Sequence, residues 1–173
     1  NPSFIRNTFD CWIIDEYNKM LRSFTQCLDE YNFSIALKKI NHFFKIFTRI
    51  YLKIVKKRLY ETHQLNNICF DIFINILKCY APFFPHITDY IYQNVFKQHY
   101  SQKSIHLFEM TYLDNIIEEN NNLYFVRDFL LSLENMNRTH SKILELDNKY
   151  YDIATSLLED IKRVSIIEQL LFT

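Results

Sequence analysis

The complete absence of glycine is the feature that most constrains this chain: none of its 173 residues is glycine. Phosphate-cradling loops need glycine because a side chain would keep the backbone away from the phosphate, so Walker, Rossmann and kinase-type nucleotide loops are excluded. Tight two-residue hairpins lose their preferred residue. Helices are expected to end on asparagine, which is the next best residue for the left-handed conformation at a helix end.

Apolar residues recur at steps of three and four along most of the chain, which is the period of an amphipathic helix. Thr8 or Asp10 can cap the first predicted helix, and Asn32 or Ser34 can cap the second and longest one. Pro85 opens a later helix after an aromatic corner that begins at Ala81. The predicted helices run over residues 8–30, 32–60, 65–80, 85–100, 117–139 and 151–171. Residues 101–110 are predicted to be irregular or briefly extended.

Each predicted helix has an apolar face that we expect to be buried. In the long helix the apolar arc of a helical wheel holds Ala36, Ile40, Phe43, Phe44, Phe47, Ile50, Tyr51 and Ile54. In the helix after the corner, the predicted core residues are Ile87, Tyr90, Ile91, Val95 and Phe96. The last helix has a wide apolar stripe.

This pattern predicts an all-α protein, an antiparallel helical bundle of about five to six helices with short connections. No convincing strand pair and no internal repeat is found. Residues 1–110 are expected to form the core bundle. Residues 111–173 are expected to form a helical extension that packs on the bundle or on absent parts of a larger parent. The first residue is Asn1 rather than methionine, which suits a fragment of a longer protein.

Charge is segregated along the long helix although the chain as a whole is neutral, with 20 basic and 20 acidic residues. No acid occurs between Asn32 and Tyr60. The arc opposite the apolar one carries Lys38, Lys39, His42, Lys45, Arg49, Lys53, Lys56 and Lys57. Three interpretations remain open: a solvated face balanced by acids such as Asp29, Glu30 or Glu118, a surface for an RNA or DNA backbone, and an amphipathic helix for an anionic membrane or a calmodulin-like protein.

No chemistry can be identified from the residues alone, so no catalytic and no metal-binding residue is predicted. The six histidines form no metal-ligand pattern, and the adjacent acids Asp15 and Glu16 point in different directions on a helix. The four cysteines lack zinc-ligand spacing and are interpreted as reduced core residues. No apolar run approaches the ~20 residues of a membrane span.

Several short motifs, taken in order, resemble one family. They are Asp10-x-Trp12-Ile13, Tyr31-Asn32-Phe33, Thr48-Arg49-Ile50-Tyr51 with Lys57-Arg58-Leu59, Ala81-Pro82-Phe83-x-Pro85-x-Ile87-Thr88 with Ile91-Tyr92-Gln93-Asn94, and Ser104-Ile105-His106. This order resembles the anticodon-binding domain of class I aminoacyl-tRNA synthetases of the Ile/Val/Leu group, and most of all the eukaryotic-type isoleucyl enzymes. The valyl enzymes are the alternative, because Ile50 stands where the isoleucyl pattern has tryptophan.

The resemblance implies an RNA-binding module of an isoleucine–tRNA ligase. The bundle would bind the anticodon stem-loop of tRNA while a catalytic domain of the same polypeptide, absent here, activates the amino acid with ATP and magnesium. The implied RNA-contacting residues are Lys45, Arg49, Lys53, Lys56, Lys57 and Arg58. Arg58 falls on the apolar arc, so it is also a candidate for anchoring the helix end. The parent is expected in the cytoplasm, or alternatively in an organelle, with no membrane partner.

A hypothesis of a different class is a helical protein-interaction module that binds no RNA. In it the apolar stripe of Tyr151–Leu171 docks on a partner domain and the basic face is only solvated. The two hypotheses differ in one observable feature. A positive band uncovered by acids favours RNA, whereas ion pairs from Lys45, Arg49, Lys53 and Lys56 to acids of the bundle favour the protein-interaction module.

Overall fold

A computed structural model describes residues 8–61, 65–113, 125, 126, 128–130, 132, 133, 143–158, 161 and 169–172. Side chains are described for all of these except residues 57–61, 65–67, 143–145 and 169–172. The described residues form a helical bundle, which confirms the all-α prediction. The division at residue 110 stays a prediction.

The bundle begins with a helical hairpin. Helix α1 spans Thr8–Asp29, and α2 spans Phe33–Ile46. A π-helical turn over Phe47–Tyr51 leads directly into α3, Leu52–Glu61, so residues 33–61 form one helical rod. The predicted ends of both helices agree with these bounds. The π-helical turn was not predicted, because apolar residues three and four positions apart were interpreted as one uninterrupted α-helix.

Helix α1 ends in a left-handed residue, but that residue is not an asparagine. Tyr31 has a φ of 58°. Its N–H donates to the Leu28 carbonyl at 3.0 Å, and the Asn32 N–H donates to the Cys27 carbonyl at 2.7 Å. These two bonds form the Schellman motif, in which glycine usually takes the position of Tyr31. The expectation of asparagine was wrong, because the point at which α1 ends places Tyr31 in the left-handed position. The two hydrogen bonds offset the ~1–2 kcal/mol cost of a side chain in that conformation.

Helix α4, Leu65–Tyr80, has the predicted ends, and α5 begins at Pro85 as predicted and runs to Ile91. A second π-helical turn, Tyr92–Phe96, and a 3-10 turn, Lys97–His99, continue it. A further 3-10 turn over Ile105–Leu107 lies in an otherwise irregular segment, as expected.

The predicted core face of α5 and its continuation was wrong for three residues. Ile87, Tyr90 and Val95 are 59%, 69% and 49% exposed. The buried positions are Thr88, Tyr92 and Phe96, which are four residues apart, and the last two share a core with Ile74 and Leu77 of α4. The burial of Thr88 is possible because its hydroxyl donates to the Phe84 carbonyl at 2.9 Å. Apolar character alone could not choose between two faces that are both rich in apolar residues.

Helix α4 is buried on two sides and joins two groups of core residues. One side contributes Ile68, Cys69, Ile72, Ile76 and Cys79 to the main core with α1 and the long rod. The other side contributes Ile74, Leu77 and, at its end, Ala81 to a smaller core with Tyr92, Phe96 and Ile105. The corner therefore turns the chain so that α5 packs back on the outer side of α4.

The C-terminal part contains a strand pair that was not predicted. Strand β1, Ile143–Leu146, pairs in parallel with β2, Gln169–Phe172, in the register Ile143 with Gln169. A 3-10 turn, Asn148–Tyr150, and helix α6, Tyr151–Ser156, follow β1. The last predicted helix was thus too long at its C-terminal end. Periodicity could not reveal these strands, because segments of four residues such as Ile-Leu-Glu-Leu and Gln-Leu-Leu-Phe are too short to distinguish a strand from a helix.

Residues from the C-terminal part share the main core with α1. Phe9 packs edge-on against Phe129 with ring centroids 5.9 Å apart, and it also contacts Phe125. Val126, Leu133, Leu157 and Ile161 are buried in the same core. Predicted helical residues 117–124 and 134–139 lie outside the described part. The apolar stripe of the last predicted helix is therefore used inside this chain at Leu157 and Ile161.

Candidate nucleic-acid interface

The basic face of the rod, defined by its described members Lys38, Lys39, His42, Lys45, Arg49, Lys53 and Lys56, is exposed throughout. It extends from the second turn of α2, through the first π-helical turn, into α3. Because these exposed residues follow one another along a single helical rod, they concentrate positive charge along it.

Where the structure describes both partners, no acidic side chain forms an ion pair with this basic face. The ion pairs that it shows involve other lysines, Lys19 with Asp15 and Glu16, and Lys149 with Asp147. The carboxylate of Glu30, a candidate to balance the face, accepts hydrogen bonds from the amides of Gln26 and Asn32 instead. The arrangement of charges therefore matches the one expected for a surface that binds a polyanion.

Two sequence-predicted site residues cannot be placed by their side chains. Lys57 and Arg58 belong to α3 by their backbone, and their side chains lie outside the described part. The remaining four, Lys45, Arg49, Lys53 and Lys56, lie together on the basic face.

The apolar arc of the rod is buried against the bundle, and this burial turns the basic face outward. Phe43, Phe47 and Tyr51 stack in sequence, with centroid distances of 6.4 and 5.7 Å. The fully buried members of the predicted arc are Ala36, Ile40, Phe47, Tyr51 and Ile54. A membrane-bound amphipathic helix would need this apolar face for lipid, so its burial disfavours that interpretation.

The π-helical turn changes which residues of α3 enter the core. Ile50, predicted in the core, is only half-buried, whereas Val55, absent from the predicted arc, is fully buried. A π-helical turn inserts about one extra residue, and this rotates the following residues relative to an uninterrupted α-helix. Arg49 lies within the turn, and the positions of Lys53 and Lys56 relative to Lys45 depend on it. Such turns occur frequently at functional sites.

A buried hydrogen bond holds the end of this turn. The Tyr51 hydroxyl donates to the Asp10 carboxylate at 2.8 Å, and both residues are fully buried. The sequence pattern allows Asp10 as a cap of α1, but Asp10 lies inside the first turn of that helix. Sequence reasoning missed its contact because the two residues are 41 positions apart.

The corner motif is organised by Asp89, which sequence reasoning also missed. Its carboxylate accepts from the Ser104 hydroxyl at 2.6 Å and from the Ile105 N–H at 3.0 Å. Both bonds lower the pKa of Asp89, and the bond from the Ser104 hydroxyl has the larger effect. Tyr92 and Gln93 reinforce the connection by donating to the carbonyls of Gln102 and Lys103. These contacts join the helix after the corner to the Ser104-Ile105-His106 motif, which explains the spacing of the two motifs along the chain.

The remaining candidate groups are the cysteines and the histidines. None of the four cysteines forms a disulfide bond, and burial raises the pKa of the Cys79 thiol to about 12. One ring nitrogen of His106, Nε2, lies 3.2 Å from the Pro85 carbonyl. Over the described ranges, histidine, cysteine and acidic side chains form no group of three or more that could hold a metal ion. No helix there is long and apolar enough to cross a membrane.

Comparison with known proteins identifies the family. Residues 10–164 match the family model described as the anticodon-binding domain of tRNA ligase. The valine–tRNA ligase of Pyrococcus horikoshii is 26% identical over 92% of this chain and 19% of its own length. That of Rickettsia akari is 28% identical over 97% of this chain and 22% of its own length. A probable cytoplasmic valine–tRNA ligase of Vairimorpha ceranae is 35% identical over 49% of this chain.

These relatives are valine–tRNA ligases, so they favour the valine alternative over the isoleucine interpretation. The chain spans about a fifth of the length of the first two of them. The family model covers most of the chain, including the long rod and the corner. The chain therefore belongs to the family of anticodon-binding domains of tRNA ligases.

Proposed function

We propose that this chain binds the anticodon stem-loop of tRNA and positions the tRNA for ATP-dependent aminoacylation by a valine–tRNA ligase. The observation that carries this proposal is the exposed basic face, which has no ion pairs to described acids. The basic face would contact mainly phosphates. Such contacts provide affinity and orientation but do not distinguish one RNA sequence from another. Lys45, Arg49, Lys53 and Lys56 are the proposed contact residues, and Lys57 and Arg58 continue the same helix.

The parent protein, in this proposal, supplies the chemistry that the chain lacks. A catalytic domain elsewhere in the same polypeptide would activate valine with ATP and magnesium, in the cytoplasm. The relatives and the isoleucine at position 50 support valine rather than isoleucine as the amino acid. Amino-acid-dependent pyrophosphate exchange by the full-length parent tests this part: exchange with valine supports it, and exchange with isoleucine alone would refute it.

The test of RNA binding compares two variants with the same change in net charge. Lys53→Gln/Lys56→Gln removes two cations of the basic face, and Lys19→Gln/Lys103→Gln removes two exposed cations elsewhere. Binding of the cognate tRNA is measured from ~50 to ~200 mM salt. Each phosphate contact contributes about 0.7–0.9 to the slope of log affinity against log salt.

The proposal predicts a loss of roughly tenfold in affinity for the basic-face variant and a slope that is smaller by about 1.4–1.8. The matched control should bind like the wild type. Equal weakening of the two variants would show that only net charge matters and would refute a defined RNA-binding face.

A further inference from the structure

We infer that His42 is a further RNA-contacting residue of the basic face and that it binds a phosphate in its protonated form, so that RNA binding takes up a proton at this position. This inference rests on the proposed RNA-binding function. It extends the contact surface towards the first half of the rod, and it adds a dependence on pH that lysine and arginine side chains do not provide.

His42 lies in the regular α-helical part of the rod, where helical spacing determines its neighbours. Lys38 and Lys39 precede it by four and three residues, and Lys45 follows it by three. Side chains at these spacings are neighbours on the surface of an α-helix. All four of these residues are exposed. The imidazole therefore lies among three ammonium groups, and a phosphate attracted by them would approach the imidazole as well.

The acids that α1 brings to this level of the bundle have another partner. Helix α1 meets α2 beside His42 through an edge-on contact between the ring of Tyr17 and that of the next residue of α2, with centroids 5.7 Å apart. Asp15 and Glu16, the two acids before Tyr17, both pair with Lys19, at 2.6 and 3.2 Å. Among the described residues, the imidazole of His42 forms no ion pair and no hydrogen bond.

Helix α4, which also packs against α2, brings no acid to this position. Its Tyr80 hydroxyl donates to the side-chain oxygen of Asn41 at 2.6 Å. The charged residue nearest to Tyr80 on α4 is Lys78, a cation, and Asp71 lies nine residues away, or about 13.5 Å along the helix axis. The anion beside the imidazole would therefore come from the bound RNA.

Histidine is the side chain whose ordinary pKa, near 6.5, lets its charge change within the physiological range. Lysine and arginine stay charged from about pH 5.5 to about pH 8, and the phosphodiesters of RNA stay ionised. A protonated imidazole donates a charge-assisted hydrogen bond to a phosphate oxygen, whereas the neutral ring lacks the charge. Because such coupling is reciprocal, a phosphate that favours the proton makes RNA binding stronger at low pH.

The experiment measures binding of a valine tRNA transcript to the 173-residue chain at about pH 5.5 and about pH 8, from ~50 to ~200 mM salt. His42→Gln keeps a polar side chain that carries no charge at either pH, and His42→Lys carries a charge at both. His86→Gln is the matched control, because it removes an exposed histidine of α5, outside the basic face. Circular dichroism at both pH values checks that each variant is folded.

The wild type should bind about fivefold more tightly at the lower pH in ~0.1 M salt, the effect of one more phosphate contact. Its slope of log affinity against log salt should then be larger by about 0.7–0.9. His42→Gln should bind like the wild type at pH 8 whatever the pH. His42→Lys should have the larger slope at both pH values, and His86→Gln should respond to pH as the wild type does.

A pH dependence that persists in His42→Gln would assign the proton to another group and overturn the inference. Equal affinity and equal salt slope of the wild type at the two pH values would also overturn it. In either case a weakened Lys53→Gln/Lys56→Gln variant would still support the proposed function. If the wild type bound no tRNA at either pH, both the proposed function and the role of His42 would be refuted.

Discussion

The hydroxyl of Tyr51 donates to the carboxylate of Asp10 across 2.8 Å, and neither residue is accessible to solvent. This bond joins the first turn of α1 to the last residue of the π-helical turn in the rod. It therefore connects the core of the bundle to the segment on which the direction of Lys53 and Lys56 depends.

We expect Tyr51→Phe to lower the free energy of unfolding by about 1–3 kcal/mol, because a buried carboxylate loses a hydrogen-bond donor. The matched control is Tyr80→Phe, which removes an exposed hydrogen bond of 2.6 Å to Asn41. Water can replace that bond, so its loss should cost less. Urea unfolding of both variants measures the difference, and equal losses would contradict the assigned importance of the Asp10 contact.

The burial of Val55 in α3 can be tested by comparison with Val95, a valine of the second π-helical turn. Val55 is fully buried, whereas Val95, which the sequence pattern placed in the core, is 49% exposed. We expect Val55→Ala to destabilise the fold by roughly 1–3 kcal/mol, the range for deleting two buried methyl groups and leaving a cavity. Val95→Ala should change stability by less than about 0.5 kcal/mol. The reverse order in thermal or urea unfolding would contradict the burial of Val55 and the exposure of Val95.

Arg49 lies on the exposed side of the π-helical turn, and we expect Arg49→Gln to weaken binding of the tRNA. The slope of log affinity against log salt should become smaller by about 0.7–0.9, the contribution of one phosphate contact. Arg22→Gln is the control, because Arg22 is an exposed arginine on α1 and lies outside the basic face. A tRNA titration in which both variants lose the same affinity would exclude a specific contact by Arg49.

The corner should lose stability in acid because the pKa of Asp89 is lowered in the folded state. A carboxyl group whose pKa is lower in the folded state stabilises the fold at pH values above its unfolded pKa, which is near 3.9. This stabilisation is lost as the pH falls through the folded pKa. We therefore expect Asp89→Asn to be less stable than the wild type at pH 7, and the gap to narrow below about pH 4.

The contribution of the Ser104 hydroxyl to the lowered pKa of Asp89 can be measured separately. Ser104→Ala removes the 2.6 Å hydrogen bond to Asp89 and should raise the carboxyl pKa towards its usual value. Titration of the carboxyl carbon by NMR measures this directly. A pKa unchanged by the substitution would mean that the Ile105 N–H, rather than the hydroxyl, dominates.

Native-state thiol labelling should distinguish the cysteines. Burial raises the pKa of Cys79 to about 12, so its thiolate is scarce at pH 8, and reagents cannot reach a residue that is fully buried. Cys27 is partly exposed and should react first. Mass spectrometry of the labelled peptides gives the order, and rapid labelling of Cys79 in the folded protein would contradict its placement in the core.

Local sequence signals predicted the parts of this fold that depend on neighbouring residues. The ends of α4 at Leu65 and Tyr80 follow from apolar periodicity, and the start of α5 follows from Pro85. The basic face could also be predicted, because charges three and four residues apart on a helix lie on the same side. The buried face of α5 and its continuation could not be predicted, since Ile87 and Tyr92 are both suitable core residues and the choice depends on the position of α4.

By itself, the sequence determined the helical class, the long rod and the separation of its apolar and basic sides, because these depend on spacing along a single helix. Only the tertiary structure decided which surfaces remain open, how the π-helical turn rotates Lys53 and Lys56, and where Asp10 and Asp89 find their partners. It also decided that Tyr31, in a chain without glycine, takes the left-handed position at the end of α1. These features depend on contacts between residues that are distant in the sequence. At these positions the tertiary contacts outweigh the conformational preferences of the individual residues.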